Sequence, residues 1–307
     1  MLATIYQLLT SLDRKLTQSR QLPRPVISVG NLAMGGRSKT PFVVKIAELL
    51  KKNAYTPVVL TRGYKRKSKV DFVIKDDNVD VNDCGDEALE IYLRSSCPVL
   101  VSADRYSIAK KYLQQSKDSS KIVFILDDGF QHWALKRDLD IVLLYRADVK
   151  ARLFPWGALR EPVKSLRRAD IILQRDVDFF KTSFFEKADV AERSKVLAVT
   201  TRVLSPDDRT EIKDQLKELE LIELPDHAEG HIILAELARR QQPEILMGLK
   251  EAVKILTVPE LRSFVKNKKI NFTIEDKDYR FIFWDFSLEL KQEKLFYEQI
   301  LKVAASQ

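Results

Sequence analysis

The chain reads as an α/β protein with a P-loop NTPase-like, doubly wound parallel sheet and a second, smaller α/β domain. Three observations lead there. Residues 26–40 run from a β-branched apolar stretch through small residues to Lys39 and Thr40, which open an amphipathic segment. Short, continuous apolar runs then alternate with helical periodicity through the first half, as in parallel sheets buried on both faces. A further block of strand and helix signals starts near residue 195.

The elements follow in order. Leu2, Ile5, Leu9, Leu12 and Leu16 recur at helical spacing, with Arg14, Lys15 and Arg20 beside them. Such a helix packs on the domain, lies on an anionic membrane surface, or gives one face to each. Strands are expected at 26–29, 57–60, 98–101, 121–126, 140–144 and 170–173. Helices are expected at 40–52, 86–94, 104–115 and 162–168. Residues 65–83 are charged and read as a mobile loop with room for a short hairpin. In the second half, strands fit 195–204 and 279–286, and helices fit 207–219 and 232–242. A last helix fits 288–305 and returns to the body. The expected division is a larger domain at 1–192 that begins with the amphipathic helix, a smaller α/β domain with linker strands at 193–290, and the returning helix at 291–307.

Composition bounds the partners. Lys and Arg number 52 against 44 Asp and Glu, a formal +8. That excess suits an anionic partner without choosing among nucleotide, phosphorylated substrate, acidic lipid and nucleic acid. No nucleic-acid reader motif accompanies it. Cys84 and Cys97 make neither a disulfide framework nor a metal site, and read as reduced thiols. The N-terminus lacks the layout of a secretory signal, and no apolar run approaches a membrane span.

The polar residues at the strand ends carry the chemistry, because ligands of open α/β sheets bind there. Gly35, Gly36, Arg37, Ser38, Lys39 and Thr40 form a small-residue loop at a helix start. Loop amides and the helix N-terminus favour phosphate. Lys39 suits the β- and γ-phosphates of ATP, and the Thr40 hydroxyl suits Mg²⁺. Ser38 stands where glycine is common, since that backbone passes close to phosphate and often takes positive φ. Arg62 and Tyr64 follow the second strand, in a turn that is either simply basic or phosphate-holding. Asp86 and Glu87 open a helix, as a dipole-favoured cap or as a base aimed at a substrate hydroxyl. A buried strand ends at Asp127 and Asp128, the usual Mg²⁺-side partner of a phosphate loop. Gln131 and His132 follow as substrate contacts or structural residues. Arg160 can neutralise transferring phosphate, and Glu161 can join the metal shell or pair with Arg160.

Together these segments resemble the tetraacyldisaccharide 4′-kinases of Gram-negative bacteria. The stretches are VGNLAMGGRSKTPF (29–42), TRGY (61–64), GDE (85–87), VSADR (101–105), DDGFQHWALKRDLDIVLL (127–144), PWGALREP (155–162) and LPDH (224–227). The resemblance implies transfer of the ATP γ-phosphate to the 4′-hydroxyl of a tetraacylated glucosamine disaccharide 1-phosphate. It implies a peripheral enzyme, expected as a monomer, on the cytoplasmic face of the inner membrane. It implies a P-loop domain and a smaller α/β domain joined by a two-stranded linker. It assigns Asp86 as base and His227 as its helper, with Lys39 and Arg160 on the phosphates. Asp127, Asp128, Thr40 and Glu161 fall on the metal side. The chain departs from the family at Ser38, at Thr61, at Ala88, and over 247–251, where Met-Gly-Leu-Lys-Glu replaces Thr-Thr-Glu-Lys-Asp. The alternatives are a P-loop kinase for a soluble acceptor and a catalytically impaired nucleotide-binding regulator.

Overall fold

The computed structural model describes residues 2–35, 38–64, 66–184, 196–201, 209–210, 219–225, 228–240 and 242–306. Seven strands form the larger sheet: β1 (Val26–Asn31), β2 (Thr56–Thr61), β3 (Phe72–Ile74), β4 (Val99–Val101), β5 (Ile122–Asp127), β6 (Leu139–Leu144) and β7 (Ile171–Gln174). Their order is β3-β4-β2-β5-β1-β6-β7. Only β3 runs antiparallel, paired with β4. β1 therefore sits between β5 and β6, with Val29 beside Asp127 on one side and Ile141 on the other. This register puts the loop after β1 and the acid pair after β5 at one sheet edge.

Burial explains the strands. β1, β5 and β6 are buried along their whole length, because helices cover both faces. On one face α2 (Lys39–Lys52) inserts Phe42, Val43, Ile46 and Leu50, all fully buried. Each such side chain contributes roughly 1.5–3 kcal/mol on burial. α4 (Asp86–Ser95) follows the short α3 (Val81–Cys84) and packs beside α2. The opposite face holds α5 (Arg105–Gln115) against Leu60, Leu100, Phe124 and Leu126. α1 (Leu2–Leu16) precedes the sheet, and its Leu8, Leu12 and Leu16 are exposed.

A second sheet of five strands has the order β10-β9-β11-β13-β12. Its strands are β9 (Val196–Thr200), β10 (Leu219–Glu223), β11 (Glu244–Met247), β12 (Lys269–Ile274) and β13 (Lys277–Phe283), with only β12 antiparallel. The helices among them are α6 (Gly230–Arg240), α7 (Leu249–Ala252) and α8 (Val258–Asn267). Between the two sheets in sequence, β8 (Phe179–Phe184) pairs antiparallel with β14 (Asp285–Leu290) as a two-stranded ribbon. α9 (Glu293–Ala304) then returns to α2. There Phe296 meets Phe42 with ring centroids 6.2 Å apart, and Lys45 pairs with Glu293 at 2.6 Å.

Several expected elements differ. Residues 163–168 form a 3-10 segment after Pro162 rather than an α-helix. Among the described residues of 65–83, the strand β3 pairs with β4 of the main sheet and not within a local hairpin. The helix expected over 288–305 is split: β14 takes its start, because Leu288 and Leu290 alternate inward while the ribbon supplies hydrogen bonds from β8. The helix expected over 207–219 lies largely outside the described residues, and Leu219 opens β10. α8 has a capping box of Thr257 and Glu260 with proline in its first turn, a start signal that the apolar pattern alone did not reveal.

Candidate active site

The site is built at the carboxyl ends of β1, β2 and β5. Gly30 is obligatory in this packing: a Cβ there would lie 2.6 Å from the Phe130 Cβ and 2.7 Å from its backbone nitrogen. The β1 loop and the β5 turn thus touch. Ser38 takes the left-handed conformation, φ 58°, that its position demands of glycine. Its hydroxyl lies 2.8 Å from the Tyr145 hydroxyl. Gly36, Arg37 and His227 lie outside the described residues.

Lys39 opens α2 and directs its ammonium to the Asp128 Oδ1, 3.4 Å away, and to the Asn31 Oδ1 at 3.5 Å. Arg160 donates to the other Asp128 oxygen at 2.8 Å and to the Gln131 Oε1 at 3.1 Å. Burial pushes the Asp128 carboxyl upward, but Lys39 and Arg160 outweigh it and hold the group at about 2. Asp127, next in the chain, behaves oppositely. It is buried, and burial together with the Asp128 charge raises its carboxyl above the ordinary range. One of its oxygens accepts from the Thr61 hydroxyl at 3.1 Å. Adjacent carboxylates therefore carry different charge tendencies, set by which cations reach each.

Glu161 accepts from Gln131 at 3.1 Å and pairs with Arg168 at 2.9 Å. It joins the acid pair through Gln131 and Arg160. Arg62 follows β2 and adds its charge to that felt by Arg105. Arg105, which the sequence reading left without a role, is buried beside Asp127 and Asp128, and its Nε has no hydrogen-bond partner. Burial lowers the His132 imidazole to about 3, aided by Arg105 and Arg137. His132 is thus neutral at physiological pH and cannot serve as an acid there.

α4 brings the remaining carboxylates. The Asp86 Oδ1 accepts from the Glu87 amide at 2.9 Å. Burial lifts Glu87 to about 7, helped by the charges of Asp127 and Asp86 and opposed by Lys250 and Lys39. That mutual influence ties the α4 start to the Lys39–Asp127 group. Across the cleft, the Lys254 ammonium lies 3.7 Å from the Asp86 Oδ2. A cavity of about 350 Å³ opens beside Asp86, lined by Tyr64, Arg66 and Gly85 from one side and Ala228 and Lys254 from the other. Lys250 and Lys254 escaped the sequence reading as site residues, although their segment aligned with a family stretch. Charge alone does not reveal which lysine faces a distant helix.

Mg²⁺ takes oxygen ligands, usually one or two carboxylates with phosphate oxygens and waters. Asp127 fits that demand, being a buried carboxylate at the strand end with one oxygen held by Thr61. Thr40 stands in the first turn of α2, where a hydroxyl can complete the set. Asp128 is engaged by two cations and Glu161 by Arg168. Among the described residues no three carboxylate, thiolate or imidazole groups converge as a cage. The arrangement suits a metal carried in with a nucleotide.

Comparison with known proteins places the chain in a family. The sequence model of the tetraacyldisaccharide-1-P 4′-kinase family matches residues 1–235. The tetraacyldisaccharide 4′-kinase of Aquifex aeolicus is 35% identical over 294 residues, covering 83% of this chain and 92% of the relative. That of Vibrio campbellii is 40% identical over 158 residues, covering 51% of this chain and 46% of the relative. The chain is also similar to the crystal structure of the Aquifex aeolicus kinase in complex with ATP. There the TM-score is 0.72 and the identity 27%, over 98% of this chain and 97% of the other. The chain belongs to the tetraacyldisaccharide-1-P 4′-kinase family.

Proposed function

We propose that the cleft between the two sheets performs the family's phosphoryl transfer with Asp86 as base. The reaction is ATP-dependent phosphorylation of the 4′-hydroxyl of a tetraacylated glucosamine disaccharide 1-phosphate, giving the lipid A precursor lipid IVA. The observation that supports these roles is the convergence of Lys39, the Asp127–Asp128 pair and the Asp86–Glu87 pair in one electrostatic cluster.

In this reading ATP lies along residues 35–40, and Lys39 exchanges Asp128 for the β- and γ-phosphates. Thr40 and Asp127 would hold Mg²⁺, which would shield phosphate charge. Asp86 takes the proton of the sugar hydroxyl as that oxygen bonds to the γ-phosphorus. The bond from phosphorus to the β–γ bridging oxygen breaks, and ADP leaves with its electron pair. Arg160 stabilises the equatorial charge of the transferring group, where a positioned cation acts most strongly. Arg62, Tyr64, Glu87 and Gln131 orient the acceptor, with His132 as a neutral contact. The His227 role as helper to Asp86 follows from the family likeness alone.

No helix among the described residues is long and apolar enough to cross a membrane. The α1 face instead suits peripheral docking on the anionic cytoplasmic leaflet of the inner membrane. Leu8, Leu12 and Leu16 are 65%, 52% and 75% exposed, and Trp156 is 65% exposed. Tyr6 holds the 153–157 loop to α1 through Phe154, with ring centroids 5.4 Å apart. Arg14 and Lys15 in the last turn add attraction to anionic lipid.

The test is labelled ATP with the tetraacyl disaccharide 1-phosphate in detergent micelles. Asp86→Ala is expected to lose turnover while still binding nucleotide. Turnover at the wild-type rate in that variant would remove Asp86 from the mechanism.

A further inference from the structure

The acidic pair at the start of α4 is met from the second sheet by two lysines of one short segment. The Lys254 ammonium lies 3.7 Å from the Asp86 Oδ2, and both side chains are about one-tenth exposed. The same ammonium donates to the Ala228 carbonyl at 3.0 Å. Lys250, one helical turn earlier, places its charge against Glu87.

The segment is anchored rather than loose. Glu251, buried, accepts from the Thr201 amide at 2.8 Å and from the Thr201 hydroxyl at 3.0 Å. Gly230 lets α6 begin directly against the Lys254 backbone: a Cβ there would lie 2.1 Å from the Lys254 carbonyl oxygen. The backbone of Lys254 is therefore held, and its ammonium is directed at one carboxylate oxygen. The other Asp86 oxygen is occupied by the Glu87 amide at 2.9 Å. An amide donor on one oxygen and an ammonium charge 3.7 Å from the other restrict rotation of the carboxylate.

We propose that Lys254 is a positioning residue for the phosphoryl-transfer base, orienting the Asp86 carboxylate from across the cleft. This rests on the reading of Asp86 as base. A lysine that merely filled a surface ion pair would contribute little and leave turnover alone. A lysine that aligns the base acts on the chemical step, where misplacement by about 1 Å can cost on the order of 100-fold.

The experiment compares Lys254→Met, Lys254→Gln and Lys254→Arg with wild type, using labelled ATP and the lipid acceptor in micelles. Met and Gln are expected to lower kcat about 10- to 100-fold. KM for ATP should stay within about twofold, because Lys39 and Arg160 are untouched. Lys254→Arg should recover most of kcat. A kcat within about twofold of wild type for Met and Gln overturns the proposal, as does an Arg variant that falls as far as they do. Should Met impair folding, Gln and Arg carry the comparison alone. Lys254→Met is further combined with Asp86→Asn. No additional loss in the double variant supports action through Asp86, and full additivity overturns it. Wild-type turnover by Asp86→Ala rejects the base itself. A dead Asp86→Ala beside an unaffected Lys254→Met rejects only the role of the lysine.

Discussion

Replacing Glu87 by Gln isolates the electrostatic cost of gathering four carboxylates at one cleft. Glu87 is lifted from an ordinary 4.5 to about 7 by burial and by Asp127 and Asp86, against Lys250 and Lys39. Below pH 4.5 its carboxyl is protonated in folded and unfolded chains alike, so it resembles Gln. Between 4.5 and 7 the unfolded chain ionises first, and stability is lost as pH rises. Above 7 the folded chain carries the full burden of the buried charge. The interval corresponds to about 3 kcal/mol at most, and partial solvent access reduces it to about 1–3 kcal/mol. Glu87→Gln should therefore match wild type near pH 4.5 and exceed its stability by about 1–3 kcal/mol near pH 8. Urea unfolding followed by tryptophan fluorescence at the two pH values measures this directly. An offset that is the same at both pH values, or a Gln variant weaker than wild type at pH 8, would refute the reasoning.

Other consequences follow from contacts at the start of α2 and at the N-terminal helix. Tyr145→Phe removes the 2.8 Å partner of the Ser38 hydroxyl and should lower stability by about 1 kcal/mol. In a Ser38→Gly background, where φ 58° is free of strain, the same change should cost less by the worth of that bond; a four-way urea series decides. Exchanging Leu8, Leu12 and Leu16 together for Glu should abolish sedimentation with anionic phospholipid vesicles. The unfolding midpoint should barely move, since all three are exposed. Sedimentation equal to wild type would remove α1 as the docking element.

Much of the larger sheet was legible because its strands are buried on both faces. Val123–Leu126 and Ile141–Leu144 read as unbroken apolar runs and Val26–Val29 is interrupted only by Ser28, and runs that short suit strands better than helices. The smaller sheet was less legible. β12 alternates between exposed and half-buried residues and carries little apolar signal. β14 has a helix-compatible composition and becomes a strand only because β8 lies alongside to pair with it. At the site, Lys39, Asp127 and Asp128 were visible from the strand-loop-helix pattern. Their division of labour was not. Asp128 engages Lys39 and Arg160, whereas Asp127 stays buried beside Thr61, and nothing in the dipeptide Asp-Asp distinguishes them.

The amino-acid pattern alone determined the parallel α/β core, the small-residue loop that opens α2 and the family to which the chain belongs. Those features depend on local periodicity and on short motifs, which a linear string records in full. Folding decided the rest: Ser38 in a conformation suited to glycine, opposite charge tendencies for two neighbouring aspartates, and Lys254 set against Asp86. The two aspartates answer to Lys39, Arg160 and Thr61, brought to them by the larger sheet, and Asp86 meets Lys254 because the second sheet packs against α4. Ser38 takes its backbone from the turn into α2.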